Sequence, residues 1–134
     1  MPAAAWYGRG VTVEEPRFGR YVVRGLLGSG GMGQVLRAYD PQLDREVAIK
    51  VVRDPSRTAA ARLLREAKTM AAIRHPNVVP VYDVGVEGED VFVAMELIRG
   101  QTLRDWFETA RPWREVLEVF SRAAEGLDLS LIHI

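Results

Sequence analysis

Apolar positions along the chain follow two different rhythms, and the change between them divides it. Tyr21-Val22-Val23-Arg24-Gly25-Leu26-Leu27 is rich in β-branched and aromatic residues and predicts a strand. Gln34–Tyr39 alternates and predicts a second, and Glu46–Val52 predicts a third. Gly28–Gly33 separates the first two, and Asp40-Pro41-Gln42-Leu43-Asp44 supplies turn chemistry before the third. Asp54-Pro55-Ser56 then marks a helix entry, and an Ala/Arg/Leu-rich segment runs to about Arg74, where His75-Pro76-Asn77 stops it. Two further strands follow, Val78–Val84 and Val91–Glu96. Pro80 cannot donate to a ladder, so the first of them is expected at a sheet edge. After Gly100 the period becomes helical over Thr102–Ala110 and Trp113–Leu127. In the second of these, Trp113, Val116, Leu117, Phe120, Ala124 and Leu127 recur at i, i+3, i+4 and i+7. Residues 1–19 have no period and carry Pro2, Gly8, Gly10, Pro16 and Gly19, as a flexible leader would. The expected class is α+β: a five-stranded antiparallel sheet with one helix after its third strand, then helices alone.

Composition narrows the chemistry. The 134 residues carry no net charge and no cysteine, and 48 % are hydrophobic. A disulfide framework, a thiolate nucleophile and cysteine-ligated zinc are excluded, and no basic field favours nucleic acid. His75 and His133 are too far apart in sequence for metal-ligand spacing. No apolar run approaches the roughly 18 residues of a membrane helix. Met1–Gly10 lacks the basic start and apolar stretch of a secretory signal. The expectation is a cytoplasmic enzyme or binding domain without a membrane segment of its own. Of the 18 basic residues only Lys50 and Lys68 are lysines. In so Arg-rich a chain each lysine draws attention, because an ammonium is a compact point charge and a guanidinium is a planar fork.

Gly28, Gly30 and Gly33 fit G-x-G-x-x-G, with Val35 two residues beyond. A strand follows instead of a helix, which removes the dinucleotide fingerprint, and the Gly-Lys-Ser/Thr of a Walker loop is absent. A plain hairpin turn and a glycine flap over a polyphosphate both stay open. Val47-Ala48-Ile49-Lys50 adds to this. In a strand Ala48 and Lys50 share a face, so a small residue beside an ammonium leaves room for a flat ring with the charge beyond it. Apolar neighbours on both sides make the strand interior, where a charge wants a partner. On the helix, Leu63, Glu66, Met70 and Ile73 lie on one apolar stripe. Glu66 is therefore a carboxylate on the buried-looking face, expected to meet Lys50; the alternative is a surface pairing with Arg62 or Arg65.

From about Phe18 to Leu127 the chain resembles the N-terminal lobe and first large-lobe helices of a protein kinase, specifically a bacterial serine/threonine kinase of the eukaryotic-like type. Leu27–Val35, Val47-Ala48-Ile49-Lys50, Leu64-Arg65-Glu66-Ala67, His75-Pro76-Asn77-Val78-Val79, Val93–Gly100 and Ala123–Leu127 carry the resemblance, in order. It implies an ATP site. The backbone of Gly28, Gly30 and Gly33 would cover the phosphates, Lys50 would bind the α- and β-phosphates, and Glu66 would hold Lys50 in place. Leu27, Val35, Ala48 and Val79 would sandwich the adenine, with Met95 behind it. The Glu96 carbonyl and the Ile98 N–H would read the adenine edge. Trp106, Phe107 and Trp113 are expected to pack helices instead. The implied partners are ATP with Mg2+ and, for the parent enzyme, protein substrates whose Ser or Thr receives the γ-phosphoryl group. The alternative is a non-catalytic nucleotide-binding or scaffolding module of the pseudokinase type.

The family's His-Arg-Asp loop, its downstream Asn and its Asp-Phe-Gly do not occur in this sequence. Metal ligands and the catalytic base are accordingly expected beyond it, and the chain as it stands is expected not to transfer phosphate. Leu129-Ser130-Leu131-Ile132-His133-Ile134 is what CTG TCT CTT ATA CAC ATC encodes, a transposase-end sequence used as a library adapter. Two of the five isoleucines fall in its last three positions. The expected organisation is a leader over 1–19, a partial kinase domain over 20–128 (N-lobe about 20–98, hinge and first large-lobe helices about 99–128), and an adapter-derived tail over 129–134 in which His133 has no role.

Overall fold

The computed structural model describes residues 15–30, 33–53 and 56–133. They form strands β1 (Arg17–Phe18), β2 (Tyr21–Gly30), β3 (Gly33–Asp40) and β4 (Arg45–Val52), helix α1 (Arg57–Ala71), strands β5 (Val81–Glu87) and β6 (Asp90–Glu96), and helices α2 (Leu103–Trp106) and α3 (Trp113–His133). The strands make one antiparallel sheet in the order β1-β2-β3-β4-β6-β5. Helix α1 carries the chain from β4 to the far edge, and β6 returns to fill the gap. The α+β class and the strand–helix order follow the hydrophobic rhythm.

Several boundaries differ from the sequence expectation, each for a local reason. Residues 15–19, assigned to the leader, join the sheet: β1 pairs with the start of β2, Pro16 accepts a hydrogen bond from Val23 N–H at 2.8 Å, and Glu15 pairs with Arg24 at 2.7 Å. Residues 1–14 lie outside the described residues. β5 does occupy an edge, but it begins after Pro80, whose carbonyl accepts from Glu96 N–H at 3.0 Å. α1 starts one residue after its cap, where Ser56 Oγ accepts from Ala59 N–H at 3.2 Å; Asp54 and Pro55 lie outside the described residues. The segment expected as a helix to Ala110 is a four-residue turn of helix opened by a Thr102–Asp105 capping box. α3 runs past Leu127 to His133, so the expected tail residues through His133 continue the helix.

Strand alternation sorts side chains onto two faces. Leu36, Ala38, Val47, Ile49, Val51, Phe92 and Ala94 point to one, and with Phe18, Tyr21 and Val23 they make the core. The register places Val35, Ala48, Lys50, Val93 and Met95 together on the other. Val91 and Val93 are buried on that second face, where α1 lies against β5 and β6. Gly85 permits the core to close, since a Cβ there would sit 2.7 Å from the Phe92 ring.

The sheet curls until its edges meet through polar groups. Gly19 N–H donates to Glu87 at 3.2 Å, and Tyr21 Oη donates to Asp83 at 3.2 Å. The Arg20 guanidinium binds Asp40 through two 3.1 Å bonds and lies 3.8 Å from Asp83. Asp40 is fully buried and also accepts from Gln42 N–H and Leu43 N–H. Burial pushes its carboxyl upward, but Arg20 and those backbone donors outweigh it and hold the group below the usual carboxylate range. Arg45 lies 3.9 Å from the same carboxylate with its guanidinium 3.7 Å from the Tyr82 ring centre.

Candidate functional site

The second face of the sheet is where the candidate residues converge. β3, β4 and β6 are in register so that Val35 faces Lys50, Lys50 faces Val93, and Ala48 faces Met95. Ala48 is small and buried, Met95 and Val35 are partly buried, and together they floor an apolar strip ending at the Lys50 ammonium. Apolar neighbours hold β4 in the middle of the sheet, so this ammonium cannot move away with an edge.

Next to the strip, across β3, lies the β2–β3 hairpin, closed by the Gly30–Gly33 pair. Gly31 and Met32, at its tip, lie outside the described residues. The three motif glycines do different things. Gly33 has φ +117°, and a Cβ on it would lie 2.1 Å from the Val51 carbonyl oxygen, so the hairpin can lie on β4 only with glycine there. Gly28 and Gly30 would place a Cβ in open space. Their bareness is not required by the fold; it leaves backbone that a ligand can approach. A ladder irregularity between Leu26 and Gly28 puts Leu27 out of the core, about half exposed.

Val79, in the loop before β5, and Ile98, in the segment after β6, are also exposed. Among the described residues the Ile98 N–H has no main-chain acceptor. Glu96 donates its own N–H to Pro80, fixing the start of that segment, and Arg99 pairs with Glu46 on β4, which ties its end to the sheet.

The expected Lys50–Glu66 pair does not form. Glu66 accepts from Arg62 Nε at 2.7 Å, one turn back on α1, and among the described residues the Lys50 side chain has no hydrogen bond or ion pair. The reason is the rotation of α1. It buries Ala67 instead of Glu66, so the carboxylate flanks the apolar stripe and stays about one-third exposed. A partner at i−4 is then reached without ordering any further chain. The surface alternative, pairing with Arg62, is the arrangement found.

The other motif pieces turn out to be joints. His75 Nδ1 accepts from Asn77 N–H at 3.1 Å, and the His75 carbonyl accepts from Val78 N–H at 3.1 Å, shaping the turn after α1. Helix α3 crosses that turn closely: a Cβ on Gly126 would meet the Asn77 carbonyl oxygen at 2.4 Å, and Asn77 Nδ2 donates to Glu125 at 3.3 Å. Phe107 packs on Trp106 and on Phe120, as expected for helix packing, whereas Trp113 is 69 % exposed. Sequence reasoning missed the Arg20–Asp40–Asp83–Tyr21 network: Arg20 and Asp40 meet across the β2–β3 pair, and Asp83, 62 residues from Tyr21, reaches both Tyr21 and Arg20 from β5 only because the sheet curls. Among the described residues no cluster of His, Cys, Asp or Glu could hold a metal ion, and no helix is long and apolar enough to cross a membrane.

Comparison with known proteins decides the family. The protein kinase domain matches residues 21–131, most of the chain. This chain belongs to the protein kinase family. Among curated kinases it is 34 % identical over 114 residues to serine/threonine-protein kinase PrkC of Bacillus subtilis, covering 81 % of this chain and 18 % of PrkC. It is 39 % identical over 122 residues to serine/threonine-protein kinase PknB of Mycobacterium tuberculosis, covering 83 % of this chain and 19 % of PknB. Among solved structures, the Mycobacterium tuberculosis PknI kinase domain superposes with a TM-score of 0.74 at 26 % identity, over 90 % of this chain and 51 % of that one. The chain thus spans under a fifth of these two curated kinases and about half of the solved kinase domain. Its α+β fold is the kinase-like fold of an antiparallel sheet lobe followed by helices.

Proposed function

We propose that this chain is the ATP-binding part of a serine/threonine protein kinase. Leu27, Val35, Ala48 and Val79 enclose the adenine, Met95 walls off the back of the slot, and the Glu96 carbonyl and Ile98 N–H read its edge. Backbone N–H groups of the Gly28–Gly33 hairpin and the Lys50 ammonium take the phosphates, and Glu66 positions Lys50 when the two meet. The observation that carries this reading is the register putting Val35, Ala48, Met95 and Lys50 on one face, next to a hairpin whose Gly28 and Gly30 leave the backbone bare.

The residues fit the group. An apolar strip accepts a flat ring, a lone ammonium accepts a polyphosphate charge, and open glycine backbone lets the phosphates come close. Mg2+ arrives with the nucleotide, and its ligands and the catalytic base belong to parts of a kinase domain this chain does not contain. In the parent, ATP bound in this way presents its γ-phosphoryl group to a Ser or Thr hydroxyl of a protein substrate. The chain's own contribution is to bind and orient: it holds the nucleotide still while the chemistry is supplied elsewhere.

Titration calorimetry with MgATP on the full chain tests the reading. Binding is expected, and Lys50→Met is expected to weaken it tenfold or more, since a charge-assisted phosphate contact contributes about 1.5–3 kcal/mol. Equal affinity of the two proteins, or no binding by the wild-type chain, would refute it.

A further inference from the structure

We infer that Arg99 is a positioning residue for the adenine end of the site: paired with Glu46, it fastens the segment after β6 at one end of the apolar strip and holds the Glu96 carbonyl and the Ile98 N–H in place before a ring arrives. This rests on the reading of the strip as an adenine slot. Alternation along β4 puts Glu46, Ala48 and Lys50 on one face, and the register with β3 sets Val35 and Arg37 on that face beside them. Glu46 and Lys50 thus mark opposite ends of the strip. The Glu46 carboxylate lies 3.5 Å from Arg37 on β3 and pairs with Arg99 from the segment after β6. Leu97–Gly100 belong to no strand or helix, so other contacts decide where that segment goes. One end is set by Glu96, which stands opposite Val47 and donates to the Pro80 carbonyl at 3.0 Å. The other is set by Arg99, whose partner is on the face of the strip. Only Leu97 and Ile98 lie between the two fastenings.

The Arg99 and Glu46 side chains are 72 % and 32 % exposed, so the pair faces water and is screened by salt. A segment that is already ordered loses less freedom when a ligand arrives, and a pair of this exposure supplies about two- to threefold in affinity. Two ligands separate the ends of the site. Adenosine has the ring without the phosphates, and inorganic tripolyphosphate has the phosphates without the ring.

The experiment is titration of the full chain, labelled with nitrogen-15, with each ligand, followed by amide chemical shifts. Arg99→Gln is expected to weaken adenosine binding about two- to threefold and to leave tripolyphosphate binding unchanged, whereas Arg99→Lys, which keeps the ion pair, is expected to bind adenosine as the wild type does. Adenosine is neutral, so raising sodium chloride to several hundred millimolar is expected to weaken it in the wild type by a similar factor and to have no such effect in Arg99→Gln. Unchanged adenosine binding in Arg99→Gln, an equal loss for both ligands, or no recovery in Arg99→Lys overturns the inference. The fastening itself is read without any ligand, from nitrogen-15 relaxation of the Leu97–Gly100 amides: their order parameters are expected to fall in Arg99→Gln, and unchanged values overturn the inference. Lower order parameters in Arg99→Gln, together with no adenosine binding by the wild type, would leave the fastening standing and remove the adenine reading.

Discussion

The motif glycines divide into one that the fold needs and two that it does not, and a pair of substitutions separates them. Gly33→Ala places a methyl group 2.1 Å from the Val51 carbonyl oxygen, against an ordinary contact of 3.4 Å or more, and requires an alanine at φ +117°. Such backbone is essentially glycine-only and costs about 1–3 kcal/mol for any other residue before the clash is counted. The obstructing atom is backbone in a central strand, so it cannot swing aside; the β2–β3 hairpin must lift from β4 instead. A loss of at least about 2–3 kcal/mol is expected, lowering the urea midpoint by about 1–2 M. Gly30→Ala meets nothing within 4 Å and lies in ordinary extended backbone. Its stability is expected to stay level or rise by up to about 1 kcal/mol, through the smaller entropy of the unfolded chain. On the proposed nucleotide reading ATP affinity should nonetheless fall, because the added methyl group would stand where the phosphates approach. Urea denaturation followed by circular dichroism, with calorimetry for ATP, measures both. Gly33→Ala as stable as wild type, or Gly30→Ala as damaging to the fold as Gly33→Ala, would refute the reasoning.

Three further outcomes follow from named contacts. Asp40→Ala strips Arg20 of both its 3.1 Å bonds and leaves Arg45 without its nearest carboxylate; a loss of about 2–3 kcal/mol is expected in urea, below the full value for a buried pair because both arginines are one-third exposed. The Asp40 contribution is present above the ordinary carboxylate range and is lost as pH falls through its depressed folded-state pKa, so acid unfolding should begin at higher pH in the variant. Burial, with Asp83 beside it, pushes the Tyr21 phenol up to about 12; its stabilisation is complete below pH about 10 and lost between there and 12, and Tyr21→Phe should flatten that alkaline loss. Leu117 and Leu127 on α3 are 58 % and 60 % exposed, so Leu117→Glu with Leu127→Glu should reduce self-association in light scattering without lowering the urea midpoint.

What could be read from the sequence was whatever is local or periodic. Strand alternation placed Ala48 and Lys50 on one face, and the register added Val35 and Met95 as neighbours. Pro80 marked the edge strand, and the glycines marked the hairpin. The end of β5 nearest Pro80 and the length of α2 depend on which backbone donors find acceptors, and single-residue preferences do not carry that information. The contacts of Asp83 with Arg20 and Tyr21 were illegible for a different reason: nothing near these residues signals that the sheet will curl until its edges touch.

Glu66 shows where pattern reasoning has its natural limit. Leu63, Glu66, Met70 and Ile73 share a helical stripe, yet a stripe is about 100° wide and a carboxylate at its margin can face either way. In the structure Ala67 takes the centre, and Glu66 turns to Arg62. A surface pair such as Arg62–Glu66 contributes only a few tenths of a kcal/mol, too little for a hydrophobic pattern to register. Helix α1 rests on β5 and β6 and buries Ala67 there, one position from Glu66. The stripe therefore located the inward side of the helix but not the partner of Glu66, which is decided by a turn of the helix smaller than the stripe is wide.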